Sequence, residues 1–66
     1  MNMDLLESKI EASGYKREYI ASQIGISRFG LLSKMQNPDR WKVTEMSAII
    51  KLLKLSKTET REIFDL

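Results

Sequence analysis

Arg28, Phe29, Leu32, Ser33 and Gln36 lie within one short stretch of this chain, just after a glycine and a serine. Their types suit recognition rather than bond breaking. A guanidinium offers two parallel donors that match O6 and N7 of guanine, a contact worth ~1–3 kcal/mol of discrimination between bases. Phe29 offers an apolar surface of the kind that packs on a thymine methyl, and the Gln36 amide suits adenine or, at a helix end, a phosphate. Ser33 adds a short hydroxyl between them.

Reactive chemistry has little to work with. Cysteine and histidine are both absent. That removes thiolate and imidazole metal ligands and the usual proton shuttle at neutral pH. Asp4, Glu7 and Glu11 share an ordinary helix face, and no phosphate-cradling glycine loop is present. The expectation is a chain that is not an enzyme and uses no metal, cofactor or small-molecule ligand.

The residues from Arg17 to Met35 explain how such a face is held. They divide into two short helices joined at Gly25, with Ala21 four positions before it and Leu31 six after. A small residue lets two helices cross closely, a glycine turns the chain, and an apolar residue on the second helix faces the first. Such a unit commonly sets its second helix in the DNA major groove.

The surrounding pattern predicts an all-α domain of five helices. The first spans Met3–Ser13, with Leu6 and Ile10 inward and Gly14 as terminator. The second spans Arg17–Ile24 and buries Ile20, Ala21 and Ile24; Lys16 is a poor cap for it. Ile26 plugs the turn. Ser27 caps the third helix, Arg28–Gln36, which faces inward through Leu31 and Met35. Gly30 within it costs ~1 kcal/mol relative to alanine. Asn37-Pro38 stops it, and 37–43 reads as a loop with Trp41 as a core plug. Thr44 is expected to cap a fourth helix over about Glu45 to Leu53. Met46, Ile49, Ile50 and Leu53 make its apolar stripe. Ser56 and Glu59 form a capping box for a fifth helix from Lys57 to about Phe64.

At 66 residues and a net charge of +2, this is one small domain. Charge is unevenly spread: residues 16–42 carry +4, residues 1–15 carry −2, and residues 43–66 sum to zero. The positive excess coincides with the two-helix unit, as a nucleic-acid contact requires. Apolar runs are short, as at Leu52-Leu53, and no charged start precedes an apolar stretch. A cytoplasmic protein with no membrane partner is the expectation.

The residues Ile20-Ala21, Ile24-Gly25-Ile26-Ser27-Arg28, Leu31 and the Asn37 turn resemble the Cro/repressor-like (XRE-type) helix-turn-helix family of small phage and bacterial regulators. Thr44-x-Met46 and Leu53-x-Leu55-Ser56 fit the starts and ends of its later helices. The resemblance covers nearly the whole chain. It implies a compact five-helix, lambda-repressor-like or Cro-like domain and a sequence-specific transcriptional regulator that binds double-stranded DNA. The family often has Gln where Arg17 stands; arginine would make a longer, charged phosphate contact there.

On this reading Arg28, Phe29, Leu32, Ser33 and Gln36 address bases. Arg17, Ser27, Lys34, Asn37, Arg40, Lys42 and Thr44 touch phosphates and set the register. Phe29 and Leu32 have a rival role as core or dimer contacts. One module buries only ~600–1,000 Å² of its surface on DNA. A homodimer on a palindromic operator is therefore expected, with half-sites about one helical turn apart. Ile63, Phe64 and Leu66 are the candidates for the dimer contact, unless Ile63 and Phe64 close the protomer core instead. The rival function is a protein-interaction module, such as an antirepressor or adaptor, favoured by the apolar Phe29 and Leu32.

Overall fold

Local stop signals divide the chain into helices too short to persist alone, so each depends on burying an apolar stripe. The computed structural model describes all residues 1–66. It contains α1 (Met3–Ser13), α2 (Arg17–Ile24), α3 (Arg28–Gln36), a 3-10 turn (Pro38–Arg40), α4 (Val43–Leu53) and α5 (Lys57–Phe64), and no strand. No helix is long and apolar enough to cross a membrane.

The turn between α2 and α3 is set by Gly25, whose φ of 82° is left-handed. Its N–H donates to the Ser22 carbonyl (3.3 Å), and the Ile26 N–H donates to the Ala21 carbonyl (2.9 Å). These are the paired bonds of a Schellman ending, which satisfy carbonyls that the helix leaves open. A side chain at Gly25 would carry the strain of that φ. Ser27 then starts α3 in extended geometry, and its hydroxyl accepts the Gly30 N–H at 3.0 Å. A Cβ at Gly30 would lie 3.3 Å from that hydroxyl oxygen, a tight contact that the Ser27 side chain would have to relieve by a few tenths of an ångström.

The core joins every helix. Leu6 and Ile10 of α1, Ile20, Ala21 and Ile24 of α2, Leu31 of α3, Met46 and Ile49 of α4, and Ile63 and Phe64 of α5 are buried together with Trp41. Trp41 meets the Phe64 ring edge-on, with centroids 5.3 Å apart, a favoured aromatic geometry. It is the core plug expected of it.

Three expectations change. The fourth helix starts at Val43 with Lys42 as its cap residue, two residues before the expected start at about Glu45 with Thr44 as cap. The cause is Glu45, which reaches back to accept the Lys42 N–H at 2.9 Å; Thr44 sits exposed inside the first turn. The expected loop 37–43 contains the 3-10 turn, closed by the Arg40 N–H on the Asn37 carbonyl (2.9 Å). Ile63 and Phe64, expected at a dimer contact, are 0% and 2% exposed and close the protomer core. Only Leu66 of that group is exposed.

Phe64 is thus a stability residue. Phe64→Ala should cost about 3–5 kcal/mol, a large part of a small domain's total. Leu66→Ala should stay within about 0.5 kcal/mol. Urea titration followed by helical circular dichroism compares them; equal midpoints would contradict the burial of Phe64.

Candidate functional site

The exposed side of α3 is the opposite of its Leu31 side. Phe29 is 82% exposed and Leu32 52% exposed, which removes the core as their role. Arg28 and Gln36 are exposed as well, and Ser33 is half-buried. All five expected base-reading residues therefore belong to a helix whose other face is locked into the core by Leu31. On one flank of this face, Phe29, Leu32, Leu31 and Met35 line a groove of about 470 Å³, together with Arg28, Arg17 and Glu7.

The two guanidiniums at this groove have carboxylate partners. Arg17 forms a two-pronged pair with Glu7, one prong at 3.3 Å, and lies 3.5 Å from Glu11. Arg28 lies 3.5 Å from Glu18, with both side chains about two-thirds exposed. Such solvated pairs contribute little to stability and exchange readily for another anion. Arg17, the candidate for a phosphate contact, thus bridges α1 and α2 through these carboxylates.

Lys34 differs most from expectation. Its side chain is only 13% exposed, and its ammonium lies 3.1 Å from Glu45 and donates to the Arg40 carbonyl at 3.3 Å. The cation expected at a phosphate instead ties α3 to the 3-10 turn and α4. Glu45 is the one buried charged residue. Burial opposes its ionisation, but the Lys42 N–H and the Lys34 ammonium outweigh that, and its carboxyl is held below the ordinary value.

The remaining positioning candidates surround α3. Ser27 caps it. The Asn37 amide donates to the Ser33 carbonyl at 3.1 Å and closes its C-terminal end. Arg40, Lys42 and Thr44 are exposed in the segment that leads into α4. No side chain caps α2 at Lys16, so its first N–H groups are left for solvent or an anion.

Beside that free end is a pair absent from the expected site, Tyr15 and Tyr19. Their rings are 5.1 Å apart and both are partly exposed. They border Lys16, which together with Tyr15, Arg17, Glu18 and Arg28 lines a second groove of about 380 Å³. The signal in the sequence was an aromatic pair four residues apart around a helix start with two cations. In sum, the structure brings Arg17 and Arg28 to one groove with Phe29 and Leu32, and takes Lys34, Ile63 and Phe64 out of any such surface.

No protein-family model matches the chain, and no curated protein or solved structure matches it.

The buried carboxylate makes stability depend on pH. A carboxyl whose folded value lies below its unfolded one stabilises the fold above the unfolded value, near 4.5 for Glu45. That contribution is lost as pH falls through the lower, folded value. Glu45→Gln should lower stability at neutral pH by about 1–3 kcal/mol, because Lys34 loses its charged partner. Its stability should also change less than that of the original protein as pH falls through about 4.5. Some acid dependence should persist from Glu59, whose carboxyl is held low chiefly by Lys9. Parallel pH profiles of urea midpoints would contradict the role given to Glu45.

Proposed function

We propose that this chain is a sequence-specific regulator that binds double-stranded DNA, a phage repressor or Cro-type protein with a lambda-repressor-like domain. It acts on DNA in the cytoplasm of a bacterial host. The observation that carries the reading is α3 itself: its inner face is fixed by Leu31, and its outer face offers Arg28, Phe29, Leu32 and Gln36 to the surroundings.

Support comes from three sides. The helix follows a tight turn and packs on α2, an arrangement that supports reading the pair as a unit of the kind that enters a major groove. The positive excess of the chain lies in residues 16–42. The uncapped start of α2 and the exposed Arg40 and Lys42 supply donors and charge for phosphates on either side. In this reading Arg28 leaves Glu18 for guanine, and Arg17 exchanges carboxylate for phosphate.

Two copies on a palindromic operator would double the contact area. With Ile63 and Phe64 buried, the apolar surface open to self-contact near α5 is Leu66 with the half-buried Ile50 and Leu55. The exposed Phe29 favours a second reading, a protein-interaction module on the same framework.

Salt separates the two. DNA binding predicts log K falling linearly with log salt by ~0.9 per neutralised phosphate. Absence of salt-sensitive binding to any duplex would favour the interaction module. Within the DNA reading, Arg28→Ala should relax base preference at one position per half-site. Lys42→Ala should weaken all sequences about equally and lower the salt slope by about one unit. Identical behaviour of the two variants across operator variants would overturn the division into reading and positioning residues.

A further inference from the structure

We infer that α3 docks on a second copy of this chain, the Phe29 ring of each protomer entering the other's groove. Resting on the DNA reading above, this contact withholds the outer face of α3 from a duplex. Phe29 is 82% exposed and stands beside a groove lined by Leu31, Leu32 and Met35. A projecting ring and a cleft side by side on one surface suit an isologous two-fold contact, because each copy supplies both halves.

The charges permit it. Arg17 is paired with Glu7 and Glu11, Arg28 with Glu18, and Lys34 is drawn away to Glu45. The other cations of residues 16–42, Lys16, Arg40 and Lys42, do not line this groove. Two copies therefore meet there without unmatched like charges facing each other. A duplex, by contrast, meets those guanidiniums only after their carboxylates give way.

The spacing fixes a register. Phe29, Leu32 and Met35 are three apart on α3. A two-fold axis near Leu32 sets the two Leu32 side chains together and each Phe29 ring against the partner's Met35, where ring and thioether sulfur attract. α3 has nine residues, about 14 Å of helix. A contact confined to it stays below the ~1,200 Å² at which standard interfaces begin. The dimer is therefore weak and governed by concentration. As protein accumulates, a growing fraction has α3 covered, and DNA occupancy rises less steeply than total protein.

Sedimentation without DNA, across the millimolar to micromolar range, should show a monomer–dimer equilibrium. Phe29→Ala and Leu32→Ala alter exposed positions, and circular dichroism checks that they fold; each should weaken association by about tenfold or more. The chain has no cysteine, so Leu32→Cys places a single thiol at the axis. On oxidation it should link into dimers faster than Lys51→Cys, at an exposed position of α4. The linked dimer should bind a duplex selected from a random pool about tenfold or more weakly than the same variant after reduction.

A monomer at every concentration would overturn the self-contact. So would association that Phe29→Ala and Leu32→Ala leave unchanged, which would assign it to another surface, such as that at Leu66. A linked dimer that binds duplex as tightly as its reduced form would overturn the occlusion. All three results leave the DNA reading standing. Failure of the pool to yield any bound duplex would defeat that reading and the occlusion with it, while sedimentation would still decide the self-contact.

Discussion

The arrangement depends on one buried ion pair. Glu45, at the start of α4, holds the Lys34 ammonium of α3 at 3.1 Å and the Lys42 N–H at 2.9 Å. Lys34 in turn donates to the Arg40 carbonyl at the end of the 3-10 turn. A single carboxylate thereby fixes the C-terminal half of α3, the connection after it and the first turn of α4. Replacing such a pair by well-packed apolar residues is often neutral for stability, whereas removing one partner is not. The value of this pair lies in geometry: it sets the rotation of α3 about its own axis. Ser27, Gly25 and Leu31 fix the other end. With both ends held, the orientation of Phe29 and Leu32 follows from helical periodicity.

That orientation imposes a cost, since exposing Phe29 and Leu32 forgoes the ~1.5–3 kcal/mol that burying each would contribute. A domain of this size has little to spare. The core offsets the loss by drawing on all five helices, with Met46, Ile49, Ile63 and Phe64 of α4 and α5 buried in one cluster with Trp41. Burial and display are thus combined in the α2–α3 unit, which gives Ile20, Ala21, Ile24 and Leu31 to the core and keeps Phe29 and Leu32 exposed.

Helix limits were legible wherever a backbone requirement fell on a residue type that meets it. Gly14 and Gly25 end α1 and α2, Ser27 and Ser56 begin α3 and α5, and Asn37-Pro38 closes α3. Thr44 misled because a hydroxyl suggests a cap, while the capping bond that forms belongs to Glu45 and reaches the Lys42 backbone. The spacing of Lys42 and Glu45 carried that signal. Lys34 misled through its charge alone. It stands three residues after Leu31 and next to Met35, on the side that faces inward, so its position outweighed its type. Ile63 and Phe64 were ambiguous, since an apolar pair near a chain end serves a core or a partner equally well in sequence. Surface pairings such as Arg17 with Glu7 depend on how α1 and α2 approach, which no local pattern encodes.

The central claim is that the outer face of α3 is the surface that meets duplex DNA. Backbone amide shifts by NMR, recorded as a selected duplex is added, test it most directly. The account predicts the largest changes across 28–36, at the free start of α2 and in 40–44, with the amides of α5 nearly unmoved. Changes centred on α5 and Leu66, with 28–36 silent, would contradict it.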